Sequence, residues 1–253
     1  LEVLKGAPLL RYGPQTTGGV INLISTPIPD EQKGYVEAVT NERGSTDVHA
    51  TYGDTNGDWG YLFETVQRSA QGFKDIDRSN RNSGFDISDY VGKLRWQGER
   101  QSVTAKLQYS EETSNSTYVG LTDADFNQDP NRRYGLSSLD QMDNTHSGVS
   151  LTHQFEWSDN VSSTTTLYRN DFKRNWYKLS GAGNIIDQAN AGDANAQGIL
   201  DGTIDASGLE YKNNARDYLS QGVQTNFDVN IGNHEFDFGA RAHEDEMDRF
   251  QPV

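Results

Sequence analysis

Apolar and polar side chains alternate along most of this chain. Between Val103 and Tyr109 the apolar set is Val103, Ala105, Leu107 and Tyr109, with Thr104, Lys106 and Gln108 between them. Val149, Leu151, Phe155 and Trp157 alternate with Ser150, Thr152, Gln154 and Glu156. Leu219, Val223, Phe227 and Val229 share one parity, and Phe236, Phe238, Ala240 and Ala242 share another. Successive strand side chains point to opposite faces, so each run predicts a strand with one apolar and one polar face. The run from Val161 to Leu179 lacks this contrast, and its faces stay unassigned.

Turn signals divide these runs into nine predicted strands, at about 35–41, 45–54, 59–69, 86–97, 101–111, 147–157, 161–174, 216–230 and 233–247. Asn56-Gly57, Gly98-Glu99, Ser158-Asp159-Asn160 and Gly232-Asn233 mark tight connections. Between them lie longer loops near 69–86, 111–147 and 174–216, with one short loop near Asn41 to Ser45. All the tight turns therefore fall on one side of the sheet and the long loops on the other. Outer-membrane barrels are built this way. A soluble β-sandwich also alternates, but loops of this length on one side only are uncommon in compact sandwiches. Trp59, Tyr61, Trp96, Tyr109 and Trp157 lie near strand ends, where an interfacial aromatic girdle would place them.

Composition supports an ordered β protein with polar loops. Only 33% of the 253 residues are hydrophobic, yet aromatics reach 10%, high for a disordered chain. The net charge of −15 argues against a nucleic-acid partner, because phosphate contacts need Lys and Arg. There is no cysteine, hence no disulfide framework or thiolate metal site. No apolar run is long enough for a membrane-crossing helix, which leaves membrane β-strands open. The chain starts at Leu1 and stops after a strand-like run, so both ends read as truncations.

The first block differs from the rest. Leu1-Glu2-Val3-Leu4-Lys5-Gly6 and Val20-Ile21-Asn22-Leu23-Ile24 are strand-like, and Pro27 and Pro29 then break the chain. A boundary near residues 27–34 separates a domain at 1–30 from one at 31–253. Gly13, Gly18 and Gly19 permit positive φ and close backbone approach. On these residues alone an ordinary hairpin is an equal reading. A phosphate loop is not, because neither a helix pattern nor G-K-[S/T] follows.

The ordered series Leu1 to Gly6, Arg11-Tyr12-Gly13-Pro14-Gln15 and Gly18-Gly19-Val20-Ile21-Asn22-Leu23-Ile24, about 24 residues, resembles the end of the plug domain in TonB-dependent outer-membrane receptors. The resemblance implies an all-β fold: a plug end followed by about nine antiparallel strands of an incomplete, roughly 22-stranded barrel. It implies gated uptake, with binding at loops and plug followed by a pull from a TonB complex on a segment upstream of Leu1. It also implies a bacterial outer-membrane location, lipid contact and a monomer. Arg11 inherits a plug–barrel contact from this resemblance. A second stretch, Tyr118 to Phe126 with Asp129-Pro130, Arg132-Arg133-Tyr134 and Met142-Asp143-Asn144, resembles an extracellular loop of the ferric dicitrate receptor subfamily.

No catalytic constellation is present, and none of the five His falls in a ligand spacing such as H-E-x-x-H. His243-Glu244-Asp245-Glu246 reads better as a solvated strand end than as a metal site, and Asn190 to Gly198 lacks the acid order of an EF-hand. No metal, cofactor or enzymatic activity is assigned. Arg132 and Arg133 are the candidate ligand contacts, with Tyr118 beside them. They are the only bases in a loop rich in acids, and a ferric–carboxylate chelate suits the forked donors of Arg. Local pairing with Asp129 or Asp140 is the alternative use of their charge. The expected function is uptake of a ferric chelate, ferric citrate or another siderophore. Haem, cobalamin or an oligosaccharide are the alternative nutrients. A passive porin or a soluble β-rich binding protein are the rivals from other classes.

Overall fold

The structure is a computed structural model, and it describes residues 1–6, 18–42 and 44–252. Two short strands, β1 (Glu2–Leu4) and β2 (Val20–Asn22), pair antiparallel as a separate two-stranded sheet. Gly19 makes this pairing possible. Its φ is +149°, and a Cβ there would lie 3.0 Å from the carbonyl oxygen of Leu4. Gly18 meets no neighbour within 4 Å. Arg11 and Gly13 lie outside the described residues.

The main sheet has nine antiparallel strands. They begin with β3 (Lys33–Thr40), β4 (Thr46–Asn56) and β5 (Trp59–Ala70). A short β6 (Asp75–Ile76) leaves the sheet, which continues with β7 (Phe85–Gln97) and β8 (Gln101–Ser114). After the loop strand β9 (Arg132–Arg133) come β10 (Gln141–Ser158), β11 (Val161–Ser180), β12 (Glu210–Ile231) and β13 (His234–Phe250). Each long strand pairs with its neighbours in sequence, so the sheet is a simple meander from β3 to β13. The tight turns fall between β4 and β5, β7 and β8, β10 and β11, and β12 and β13. Gly57 and Gly232 take positive φ at two of them, +57° and +61°, as short hairpin turns require.

Register turns the alternation into two continuous faces. Tyr61, Leu94, Ala105, Leu151, Leu167, Val223 and Ala242 lie side by side across seven strands. One residue along, Arg95, Thr104, Thr152, Thr166, Gln224 and Arg241 form an equally continuous polar row. Among the described residues nothing buries the apolar row: Leu151 and Leu167 are 41% and 50% exposed. The faces of β11, unreadable in the sequence, follow from its partners. Leu167 joins the apolar side, and Thr166 and Tyr168 the polar side. The ambiguity arose from Ser162 to Thr166, five hydroxyl residues in a row that fit either face.

The polar face carries the chain that leads into the sheet. Thr26 Oγ1 donates to Glu64 Oε1 at 2.8 Å, Lys93 Nζ to the Thr26 carbonyl at 2.5 Å, and Thr55 Oγ1 to the Pro29 carbonyl at 2.6 Å. The segment from residue 26 to 29 thus lies against this face at the tight-turn end.

Five strands run at least three residues further than predicted. β8 continues to Ser114, β10 starts at Gln141, β11 reaches Ser180, β12 starts at Glu210 and β13 reaches Phe250. Alternation stops earlier in each, but neighbouring strands still satisfy the backbone groups whatever the side chains. The loops are correspondingly shorter, and they are not structureless. They hold α1 (Asp123–Gln128), α2 (Ala182–Asn190), α3 (Ala194–Asp201) and a 3-10 turn at Gly135–Ser137. The N-caps were visible types: Thr122 accepts from Asp125 N, and Asp193 from Asn195 N and Ala196 N. Asp193 therefore organises a helix start within the stretch that hinted at a calcium loop.

Candidate functional site

The three longer loops fold onto one another as a head with its own core. Val119, Tyr134, Leu179, Ala182 and Leu200 are buried together, with Leu121, Leu136, Ile185, Ile186, Leu209 and Tyr211 packed around them. Leu200 and Tyr134 are 0% and 1% exposed, so the tightest packing of the described residues is here, not in the sheet. The 71–84 loop enters through β6, which pairs parallel with β9. Leu179 and Tyr211 have the parity of the apolar face. The head core thus packs on that side of the strand ends and leaves their polar side open.

Arg132 joins all three loops. Its guanidinium reaches Asp77 Oδ2 at 3.0 Å in the first, Asp125 Oδ1 at 2.9 Å in its own, and Asp201 Oδ1 at 2.7 Å at the end of α3. Burial works against this cation, but Asp77, Asp201 and Asp125 outweigh it and push its pKa up. Arg133 is 3% exposed. It donates to Ser137 Oγ at 3.1 Å and to the carbonyls of Ser137 and Asn115. Burial pushes its pKa down. The nearby Asp140 is also buried and accepts from Leu179 N at 2.8 Å and from Thr117 Oγ1. Neither Arg uses the local partner first considered as an ion pair within 4 Å, Asp129 or Asp140. Arg132 is claimed by Asp125 of its own loop and by acids of the other two, and Arg133 by Ser137 Oγ and two backbone carbonyls.

Asp125 is the acid at the centre of the head. Burial tends to raise its pKa, but donors from Tyr134, Gln197 and Thr122, with Arg132 beside them, hold it below the usual carboxylate range. A carboxylate depressed in the folded state contributes stability above its unfolded pKa and loses it as pH falls through the folded value. Burial raises the pKa of Asp140, so that acid takes up a proton first and does not oppose the head at low pH. Amide exchange protection in the 115–140 and 181–209 loops is therefore expected to persist down to about pH 4 and to fall below it. Unchanged protection down to about pH 2 would remove Asp125 from this role.

The third predicted contact, Tyr118, lies at the surface of the head. Its ring is 57% exposed and stands edge-on to Trp176 at 5.2 Å. Lys178 Nζ lies 4.2 Å from the Tyr118 ring centre and 4.6 Å from that of Trp176. Trp176 Nε1 donates to the Ser116 carbonyl at 3.2 Å, which fixes the pair.

Trp176 and Lys178 open onto a cluster that the sequence reading missed. Arg174 on β11 pairs with Arg216 on β12, which pairs with Arg249 on β13. Two rungs toward the loops, Lys178 pairs with Lys212. All five cations have the parity of the polar face. Among the described residues none of them forms an ion pair, in a chain of net charge −15. The Nε atoms of Arg174 and Arg216 are buried without a hydrogen-bond partner. Like charges stacked on adjacent strands repel, so this arrangement costs stability unless an anion sits on it. The signal in the sequence was Arg on the polar parity of consecutive strands, but only register shows the three in one row. Among the described residues no group of three or more His, Asp or Glu is placed to hold a metal ion. His243 is paired with Asp245 at 2.9 Å.

No family model matches the chain. A curated relative, a probable TonB-dependent siderophore receptor PirA from Acinetobacter baumannii, is 26% identical over 194 residues, 66% of this chain and 24% of the relative. Among solved structures, the unliganded ferric citrate transporter FecA superposes on 98% of this chain and 34% of its own, with a TM-score of 0.74 and 18% identity. The siderophore receptor PiuA from Acinetobacter baumannii covers 98% of this chain and 35% of its own, with a TM-score of 0.65 and 12% identity. The chain thus spans about a third or less of the length of these proteins. Its nine-stranded meander has the barrel-wall fold of TonB-dependent receptors, as the first block suggested. The relatives it matches are transport receptors and not enzymes.

Proposed function

We propose that this chain is part of a TonB-dependent outer-membrane receptor that takes up an anionic ferric chelate, a carboxylate siderophore such as ferric citrate being the best fit. Residues 1–30 are the end of the plug and residues 31–253 the first part of the barrel wall. The apolar face meets lipid and the polar face lines the lumen. The whole protein reaches the TonB complex through a segment that precedes this stretch, and works as a monomer.

One observation carries the ligand class: the row of Arg174, Arg216 and Arg249 with Lys178 and Lys212 beside it, on the polar face and without carboxylate partners. Forked guanidinium donors match carboxylate oxygens in geometry as well as charge. A neutral cobalamin or oligosaccharide would leave these charges uncompensated. Tyr118 and Trp176 border the site. Arg132 and Arg133 act by holding the loop head that frames it, and Arg11 remains a proposed plug–barrel contact.

In the whole receptor, Arg174→Gln and Arg216→Gln should each weaken binding of ferric citrate by about 10-fold or more, since hydrogen bonds to charged groups contribute about 1.5–3 kcal/mol. The loss should shrink as salt rises. Binding by calorimetry that is unchanged in both variants would sink the carboxylate reading. Loss of binding to a neutral nutrient instead would redirect it.

A further inference from the structure

The segment from residue 26 to 29 connects the small β1–β2 sheet to β3, and it is built into the wall, not merely tethered. Thr26 is held from both ends: its hydroxyl donates to Glu64 and its carbonyl accepts from Lys93. Glu64 is largely buried, with 13% of its side chain exposed, and its Oε1 also lies 2.7 Å from His49 Nε2. His49 in turn meets the Tyr35 hydroxyl at 2.9 Å. Two groups thus meet on one carboxylate, His49 of β4 and Thr26 of the connecting segment, with Tyr35 of β3 behind His49 and Lys93 of β7 behind Thr26.

Two glycines make room for the rest. A Cβ on Gly53 would come within 2.7 Å of Pro29 Cδ, and a Cβ on Gly60 within 2.9 Å of Ile28 Cγ2. Neither glycine takes a positive φ, so backbone conformation does not require them. Close approach does, of the segment and also of the wall itself, with the Tyr61 carbonyl oxygen 2.6 Å from a Cβ on Gly53 and Thr55 Oγ1 2.9 Å from one on Gly60. Pro27 and Pro29 also restrict the backbone that lies there, lowering the entropy lost when it docks.

We infer that residues 26–29 form a fixed strap: when the plug moves during transport, the boundary between moving and stationary chain lies just before Thr26, and not at the start of β3. Everything from Thr26 onward travels with the wall. This rests on the receptor reading for its consequence, but the seating of the strap can be tested separately from uptake.

This stretch has no cysteine of its own, so a pair introduced here is read against the same receptor without the pair. Ile28→Cys with Gly60→Cys is introduced into the whole receptor in the outer membrane. The disulfide is expected to form in high yield, and the oxidised receptor should take up ferric chelate within about two-fold of the reduced one. A disulfide that fails to form shows that the strap is not seated. Uptake that drops ten-fold or more on oxidation and returns with reductant shows that the strap has to move. Either result overturns the inference. Thiol labelling of a single Ile28→Cys in the whole receptor serves as a second measure. The labelling rate should be equal with and without chelate, and a ten-fold rise on chelate addition overturns the strap as well. A receptor that forms the disulfide but takes up no ferric chelate in any state leaves the strap standing and refutes the transport reading instead.

Discussion

Arg132→Ala is expected to loosen the three loops of the head from one another. The change leaves Asp77, Asp125 and Asp201 facing one another without their common cation. Removing one partner of a buried ion pair costs about 3–5 kcal/mol. The Arg132 side chain is 23% exposed, so a discounted loss of about 2–3 kcal/mol is the better expectation. Asp201 lies at the C-terminal end of α3 and Asp125 accepts from Gln197 in the same helix, so α3 should loosen first. Hydrogen exchange should show protection lost in the 71–84, 115–140 and 181–209 loops while β10 and β11 keep theirs. Chelate affinity should fall as well, through disorder of the frame. Affinity lost with loop protection intact would return Arg132 to direct contact with ligand. Arg132→Lys makes a useful companion. It restores the charge but not the fork, so it should recover only part of the protection.

Leu151→Arg and its neighbour Thr152→Arg should differ sharply, although they change adjacent residues of one strand. Leu151 belongs to the apolar row from Tyr61 to Ala242, and Thr152 to the polar row beside it. If the apolar face meets lipid, an arginine there costs about 2–4 kcal/mol near the middle of the bilayer and less toward its surfaces. The same residue on the lumen side meets water and should cost well under 1 kcal/mol. Urea titration of the whole receptor folded into lipid vesicles measures both. Equal and small costs would mean that the apolar row does not face lipid. Equal and large costs would mean that the polar face is packed as well and does not line a water-filled lumen.

The acid titration of the loop head and the glutamine series on Arg174 and Arg216 probe the same frame from other directions. If the head opens below about pH 4 while the cationic wall is untouched, affinity should fall in acid for a structural reason. Salt dependence separates the two, because screening weakens the wall far more than the packed core of Leu200 and Tyr134.

Period-two alternation and tight-turn residues were enough to read the strands, their order and the one-sided loops from the sequence. Both are local properties: a side chain's parity and a glycine at a hairpin are set within a few residues. Leu151 and Phe238 announce their face without help from the rest of the chain. The strand extensions beyond Ser147 and Arg174 were invisible, because backbone pairing there depends on a neighbour and not on the local pattern. The ion pairs of Arg132 with Asp77 and Asp201 could not be read from the sequence, because those acids come from other loops, far away in sequence. Arg174, Arg216 and Arg249 looked like three unrelated surface residues, and only the register across β11, β12 and β13 places them in one row. Alternation fixes which face a residue occupies but carries no information about which residue of the next strand it will meet.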